Sequence, residues 1–305
     1  AGQRVRLTGL LADAKGDLKT DFTGTMAARM YDNEETITCH NNQGARVVFT
    51  YEDRTNIYTC QDSVVNGKFD LEFVIPVDIN NSNEAGRFAF YALNNERNME
   101  ANGYNEKFLL GGMGEVATDT IGPRIQAGLN GVDFENGGVV NKTPYFVAKL
   151  EDESGINYSG NGIGHDLVLC VDNDVNLTYT LNNYFVQEFG DFTRGTVSYV
   201  LPELESGSHT LTFRAWDVLN NTNAVSLNFV VDPTVAPNMF NLTASQNPAR
   251  TSTNFLISYD LVGTECDFTI EVFDFSGRRV WYHQEQGSSP SGLYTIPWNL
   301  CTNAG

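Results

Sequence analysis

Cys39 and His40 form the one adjacent cysteine–histidine pair in the sequence. A cysteine nucleophile needs its base within hydrogen-bond reach. The β-branched residues around Ile37 and Thr38 predict a strand, and neighbouring side chains of a strand point to opposite faces. We therefore predict that this pair does not form a thiolate–imidazolium dyad.

Aspartates in turn motifs near predicted strand ends are the candidates for a metal site. Asp119, Asp152 and Asp217 each stand in such a motif. Calcium in proteins takes oxygen ligands, and carboxylates in loops at the end of a sandwich supply them. The sequence therefore predicts a loose calcium site from these three residues, with solvated turn residues as the alternative.

Two other motifs resemble known ligand loops and fail on their spacing. Asp172-Asn-Asp174-Val-Asn176 matches the first three ligand positions of an EF-hand loop. Leu177 and Asn183 then replace the glycine and the bidentate glutamate that the loop requires. In Gly160-x-Gly162-x-Gly164 the third glycine does not stand at the spacing of a nucleotide loop. The motif also runs into an extended segment, 166–171, rather than a helix. We predict no cofactor at either place.

Alternating apolar and polar residues predict strands along most of the chain. In the segment 209–216, Leu211, Phe213 and Ala215 fall on one face. Turn signals such as Asn66-Gly67 separate these segments. The nearest approach to helical spacing is Leu181–Phe189, where a strand or loop is equally compatible. Short strands with regular turns predict an all-β fold of tandem immunoglobulin-like β-sandwich domains.

The length and two linker signals predict three domains. A chain of 305 residues has room for two or three. Gly111-Gly-Met-Gly114 and the proline-flanked stretch Asp232–Pro237 predict linkers, since proline ends sheet pairing. The predicted domains are 1–117, 118–235 and 236–305.

Charge and cysteine content exclude several function classes. A formal net charge of −19 argues against nucleic acid and anionic membrane surfaces as partners. No apolar run is long enough for a membrane-spanning segment. The five cysteines lack zinc-type spacing. If the domains fold separately, only Cys39 with Cys60 and Cys266 with Cys301 could pair, which leaves Cys170 free.

Several motifs of the chain occur together in one known family. They are Asp119-x-x-Gly-Pro123, Leu150-x-Asp152-x-Ser-Gly-Ile-Asn157, Gly162-Ile-Gly-His-Asp166, Leu204-x-x-Gly-x-His-x-Leu211 and Ala215-Trp-Asp-Val-x-Asn-Asn221. Together they resemble the immunoglobulin-like region of gingipain-family cysteine peptidases, most closely the type IX secretion system sortases. The first segment is similar to the domain that precedes this region. The third, with Asn247-Pro-Ala249 and Trp298, is similar to the C-terminal sorting sandwich of proteins exported by that system.

The resemblance implies a location, partners and a catalytic domain elsewhere. Members of the family cleave with a cysteine and a histidine in an upstream caspase-like domain, and no catalytic residue of theirs matches a position of this sequence. The resemblance implies that this segment is not itself an enzyme. It also implies that the segment belongs to an exported protein, which is either held at the bacterial outer-membrane surface or secreted. The implied partners are the upstream peptidase domain, the secretion machinery or exported substrates.

Two further expectations accompany this resemblance. The family's sorting sandwich continues past the Trp-x-Leu strand, so the resemblance implies that the third domain is incomplete at Gly305. A stand-alone adhesin or carbohydrate-binding module is the alternative function, which an exposed platform of aromatic rings would favour.

Overall fold

The structure is a computed structural model of the chain. It describes residues 1–40, 48–96, 98–112, 119–160, 162–235, 239–245, 249, 252–259, 261, 263–274, 277–290 and 292–302. We call the described parts of 1–112, 119–235 and 239–302 the N-terminal, middle and C-terminal units.

The N-terminal unit is a four-stranded antiparallel sheet covered by a two-stranded pair. Its strands are β1 (Arg4–Leu10), β2 (Gly24–Tyr31), β3 (Glu35–His40), β4 (Val48–Asp53), β5 (Asn56–Val64), β6 (Lys68–Val74), β7 (Glu84–Ala85), β8 (Arg87–Asn94), β9 (Glu100–Asn105) and β10 (Leu109–Leu110). The sheet has the order β5-β2-β8-β9, and β1 pairs with β6. Phe73 of β6 stacks on Tyr58 of β5 at 4.4 Å and meets Phe88 of β8 edge-on, so aromatic rings fill the space between the layers.

The middle unit is a sandwich of two sheets. Its strands are β11 (Arg124–Leu129), β12 (Val139–Val140), β13 (Tyr145–Glu151), β14 (Val168–Val171), β15 (Thr178–Thr180), β16 (Phe185–Glu188), β17 (Asp191–Val200), β18 (Gly207–Trp216) and β19 (Thr222–Val231), with 3-10 turns at Val175–Leu177 and Asn182–Tyr184. The sheets have the orders β11-β13-β17-β16 and β12-β19-β18-β14-β15. Leu211, Phe213 and Ala215 are fully buried, as their alternation predicted. Phe213 packs on Phe146 of the other sheet, with ring centroids 5.0 Å apart.

The C-terminal unit is smaller and has two short sheets. Its strands are β20 (Met239–Ala244), β21 (Thr253–Tyr259), β22 (Cys266–Phe273), β23 (Arg279–Gly287) and β24 (Leu293–Trp298). The sheets are β20-β21-β24 and β22-β23. Phe268 of β22 stacks on Tyr294 of β24 at 4.1 Å, which joins the two sheets through aromatic contact.

The predicted fold class is confirmed: the described residues form sheets consistent with β-sandwich domains, antiparallel except where β12 pairs with β19, and they contain no α-helix. Leu181–Phe189, the segment nearest to helical spacing in the sequence, is a 3-10 turn followed by β16. Three separate hydrophobic clusters lie in the three units. The boundaries at 117/118 and 235/236 fall in or beside stretches outside the described residues, so they stay predictions.

All five cysteines are free thiols in the structure, so neither of the two pairings considered from the sequence forms. Cys60 is buried in β5 opposite Ala28 of β2. Cys39 lies in β3, which pairs with β4 outside that sheet. Strand pairing therefore holds the two residues in different sheets.

Candidate functional site

Three loops at one end of the middle unit bring together the aspartates singled out from the sequence. Asp119 precedes β11, Asp152 follows β13 directly, and Asp217 follows β18 directly. One carboxylate oxygen of each lies within 4.8 Å of those of the other two. We call these three residues the aspartate cluster.

The motif Asp119-x-x-Gly-Pro123 is tied to the turn between β18 and β19. The Asn221 amide donates to the carbonyl oxygen of Asp119 at 3.2 Å, and the Asn223 amide donates to that of Pro123 at 3.1 Å. A Cβ atom at Gly122 would lie 2.4 Å from the carbonyl carbon of Thr222. Glycine is therefore required here because two backbones approach closely.

Hydrogen bonds fix the orientation of the buried carboxylates. Asp217 accepts from the backbone N–H groups of Leu219 and Asn221 at 2.9 and 2.7 Å, and from the Asn221 side-chain amide at 2.7 Å. Asp152 accepts from the backbone N–H of Ser154 at 2.8 Å, while the Ser154 hydroxyl donates to Asp119 at 2.7 Å. The turns therefore direct all three carboxylates toward one another.

The cluster has an excess of negative charge in a poorly solvated place. Asp217 is fully buried and Asp152 nearly so. Burial, together with the charges of Asp217 and Asp119, raises the pKa of Asp152 to about 7, against the opposing effect of the hydrogen bond from Ser154. Burial, followed by the charge of Asp119, also raises the pKa of Asp217, while hydrogen bonds from Asn221 and Leu219 oppose the shift. Among the described ion pairs none includes a member of the cluster.

The aspartate cluster adjoins a junction between the N-terminal and middle units. The Val77 N–H donates to the carbonyl oxygen of Val218, the residue after Asp217, at 2.9 Å. Asp78 then lies against the middle unit, where its carboxylate is 2.7 Å from Nδ1 of His165. It also accepts from the side-chain amides of Asn157 and Asn220 at 3.3 and 2.8 Å. One carboxylate of the N-terminal unit thus receives three polar groups from the middle unit.

Further contacts extend this junction. The Tyr158 hydroxyl donates to the carbonyl oxygen of Thr59 at 2.6 Å and accepts from its N–H at 3.1 Å. The Arg4 guanidinium donates to the carbonyl oxygen of Glu153 at 3.0 Å and lies over the ring of Phe192 at 5.5 Å. Backbone and side-chain bonds therefore join the two units from several strands.

The motif Gly162-Ile-Gly-His-Asp166 is a loop of this junction rather than a nucleotide site. A Cβ atom at Gly162 would lie 2.1 Å from the Asp78 carboxylate. The His165 ring packs on Trp216 with centroids 4.4 Å apart. The glycine therefore lets the loop approach the N-terminal unit closely enough for His165 to reach Asp78. Sequence reasoning missed Asp78 and this role of His165, since their partners come from different units.

The remaining residues singled out from the sequence take part in strand pairing, hydrogen bonds or the capping of a turn. Cys39 and His40 lie in β3 on opposite faces, as predicted, so they do not form a dyad. Asp172 accepts from the N–H of Thr210 at 2.8 Å and is 2.6 Å from Nδ1 of His209. Asp174 caps the 3-10 turn at Val175–Leu177 through the N–H of Asn176. No catalytic site is evident in the part of the chain that the structure describes, and no helix there could cross a membrane.

Comparison with solved structures gives a match over the whole chain. The crystal structure of dimeric latent PorU from Porphyromonas gingivalis aligns with 100% of this chain at 30% sequence identity and a TM-score of 0.53. The chain spans 29% of that PorU chain. No protein-family model and no curated protein matches.

Two more distant structures align with little spatial agreement. One belongs to a study of how a 1.5-MDa bacterial ice-binding adhesin is retained on a host cell surface (12% identity, TM-score 0.21, 98% of this chain and 80% of that one). The other is Escherichia coli α2-macroglobulin (9% identity, TM-score 0.20, 99% and 20%). Neither bears on fold or function. The resemblance that the motifs predicted is confirmed by the first match: over its whole length, this chain is similar to a region of PorU, a gingipain-like sortase of the type IX secretion system.

Proposed function

We propose that this chain is the non-catalytic structural and docking part of an exported gingipain-type cysteine peptidase, with its catalytic domain upstream. The observation that carries the proposal is the whole-length similarity to a region of PorU at 30% identity. The peptidase activity, sorting role and upstream domain of the parent protein are part of the proposal, because the chain spans 29% of PorU.

The junction between the N-terminal and middle units supports a mechanical role. Asp78 and Tyr158 each form hydrogen bonds across it, and Val77 adds a backbone bond. Domains linked by buried polar bonds keep their relative orientation better than domains on a free linker. Such a rigid base would hold a peptidase at a fixed distance and angle from the outer-membrane surface, where secretion partners and exported substrates meet it.

Expression of the complete reading frame, with assays of peptide hydrolysis and surface exposure, tests this proposal. Expressed in its own bacterium, the full protein should hydrolyse sorting-signal peptides and be accessible to protease added to intact cells. The isolated chain, and a full protein whose upstream catalytic cysteine is changed to alanine, should not hydrolyse them. A full protein without the N-terminal and middle units should keep a folded peptidase domain that no longer stays at the surface. Hydrolysis by the isolated chain that disappears on changing one of its own cysteines would contradict the non-catalytic assignment.

We also propose that the aspartate cluster holds a calcium ion. Three carboxylate oxygens within 4.8 Å of one another provide the hard ligands that calcium takes, and no nitrogen or sulfur ligand accompanies them among the described residues. The cluster adjoins Val218 at the junction, so a bound ion would stiffen the loops that connect the two units.

The alternative proposal, an adhesin or carbohydrate-binding module, has one supporting feature. Tyr91 and Tyr104 are exposed on the outer face of β8 and β9, where Tyr91 stands diagonally from Tyr104. Arg87 covers the Tyr104 ring at 5.0 Å, and the Tyr91 hydroxyl is bonded to Glu100 at 3.0 Å. Both rings are thus already engaged within the protein. Two results would favour this alternative. The chain would bind to a glycan array and lose that binding in Tyr91→Ser and in Tyr104→Ser, and its complete reading frame would encode no peptidase domain.

A further inference from the structure

Strands β3 and β4 form a ribbon that leaves the main sheet of the N-terminal unit. The pairing of β2 with β5 ends at Tyr31 and Asn56, and the same hairpin continues as the pairing of Glu35 with Asp53. Within the described residues β3 and β4 pair only with each other. Both outer edges of the ribbon therefore have unpaired backbone groups, which can accept another strand.

One face of this ribbon is apolar and exposed. Ile37 is opposite Tyr51 and Cys39 is opposite Phe49, and residues opposite each other in an antiparallel ladder share a face. Phe49 is 59% exposed and Tyr51 47% exposed. The whole of β4 is exposed, in contrast to the half-buried strands of the main sheet. An exposed apolar patch of this kind is typical of an interaction surface.

The base of the ribbon is fixed to the body of the unit. Asp32 is buried and accepts from the N–H groups of Asn33 and Asn80 at 2.9 and 2.7 Å. The Arg54 guanidinium forms ion pairs with Glu34 and Glu106 and donates to the carbonyl oxygen of Ala85. A ribbon held in this way presents its face without a large ordering cost on binding.

Acidic side chains determine which partner this face accepts. Glu35 and Asp53 are directly opposite each other at the end of the apolar face, and like charges in that arrangement repel. Among the described ion pairs none includes Glu35, Glu52 or Asp53, because the nearby Arg54 is paired with Glu34 and Glu106. A second copy would bring carboxylates against carboxylates on a chain of net charge −19. A segment with basic residues instead supplies the missing charge.

We propose that the β3–β4 ribbon is a docking arm for an extended segment of a partner protein that alternates apolar and basic residues. The segment adds as a third strand to a free edge of the ribbon, the mode known as β-augmentation. Its apolar side chains continue the face of Ile37, Phe49 and Tyr51, and its lysine or arginine side chains pair with Glu35 and Asp53. This inference deepens the docking part of the proposed function and rests on it.

Synthetic peptides test the docking arm directly on the whole chain. The probe is an eleven-residue peptide (about 35 Å when extended) that alternates valine and lysine, and its charge-reversed form has glutamate in place of lysine. We expect the lysine peptide to bind, as measured by fluorescence anisotropy, and the glutamate peptide not to bind. The double variant Phe49→Ser/Tyr51→Ser should weaken binding about tenfold or more, as the loss of aromatic anchors does, while its thermal unfolding stays unchanged.

Controls separate this mode from general attraction to an acidic protein. The double variant keeps every carboxylate, so unspecific binding would survive in it. Tyr104→Ser removes an exposed ring elsewhere and should leave binding intact. Equal binding by the double variant and the unchanged chain, equal binding of both peptides, or self-association that Phe49→Ser abolishes would overturn the proposal. A reading frame without a peptidase domain would instead contradict only the proposed parent protein.

Discussion

The carboxylate of Asp78 and the imidazole of His165, from two different units, are 2.7 Å apart. Both side chains are mostly buried, with 15% and 24% of their surfaces exposed. The loop glycine Gly162 makes this approach feasible, because any side chain there would overlap the Asp78 carboxylate. The contact therefore links a sequence motif of the middle unit to the orientation of the N-terminal unit.

We expect this pair to couple the stability of the two units. Asp78→Ala and His165→Ala should each destabilise, and a double-mutant cycle should give a coupling energy of roughly 1 kcal/mol, above the median for exposed pairs. The same cycle on the more exposed pair His283–Glu285 should give a smaller value. Thermal unfolding of the four variants measures both. Additive effects for Asp78 and His165 would show that the contact does not stabilise the junction.

Calcium should stabilise the middle unit through the aspartate cluster. At a concentration about 100 times its dissociation constant, a ligand that binds only the folded state stabilises it by about 2.7 kcal/mol. We therefore expect the unfolding temperature to rise on adding calcium after chelation. Asp217→Asn should abolish the rise, because it removes a fully buried ligand charge. Glu153→Gln removes an exposed charge next to Asp152 and should retain it. Calorimetry with no calcium effect on the unchanged chain would refute the site.

Gly122 should tolerate no side chain, although its motif lies on the surface of the sandwich. Alanine there would place Cβ 2.4 Å from the backbone of Thr222, and forced overlap of this kind costs about 1–3 kcal/mol. A Cβ atom at Gly103, in strand β9, would meet no other atom within 4 Å, so Gly103→Ala should change stability by less than about 1 kcal/mol. Denaturant unfolding compares the two. Equal effects would mean that Gly122 is retained for another reason.

His209 should make the stability of the middle unit depend on pH near neutrality. Its two ring nitrogens are 2.6 Å from Asp172 and 2.8 Å from the carbonyl oxygen of Glu205. Burial lowers the pKa of His209, but the hydrogen bonds to Asp172 and Glu205 outweigh burial, and the net pKa is raised. The folded pKa thus exceeds the unfolded value of about 6.5.

The stabilisation from this imidazolium is therefore complete below about pH 6.5 and is lost as pH rises through the higher folded pKa. The unfolding temperature of the unchanged chain should fall over that range. His209→Gln should be less stable at low pH and should show a weaker dependence, with a remainder below about pH 7 from the raised pKa of Asp152, whereas His40→Gln, in the exposed ribbon, should keep the full dependence. A flat profile for the unchanged chain between about pH 6 and 8 would contradict the assignment.

The cysteines should react at very different rates with a thiol reagent. Burial, together with the charge of Asp62, raises the pKa of Cys60 to about 11, against the opposing effect of a hydrogen bond from Tyr58. Since the thiolate is the reactive form, Cys60 should react last and Cys301, which is exposed, should react early. All five thiols should titrate under denaturing, non-reducing conditions. A smaller number would indicate a disulfide and contradict the free state of the cysteines.

The sequence alone determined the fold class and named the aspartate cluster. Alternation of the kind seen at Leu211, Phe213 and Ala215 is local, because a strand places every second side chain on one face, so it can be read without tertiary information. Asp119, Asp152 and Asp217 were recognisable because each stands in a turn motif at the end of a predicted strand. The opposite faces of Cys39 and His40 follow from the same local rule.

Tertiary structure decided everything that depends on contacts between distant segments. Asp78 is an ordinary surface carboxylate by sequence, and only the packing of two units gives it His165, Asn157 and Asn220 as partners. The pairing of Cys39 with Cys60 does not form because β3 and β4 leave the sheet that contains Cys60, which the local pattern of a strand does not specify. Strand periodicity predicts which face of a strand a side chain occupies. The neighbours that this side chain contacts depend on long-range strand pairing and on the approach of separate units.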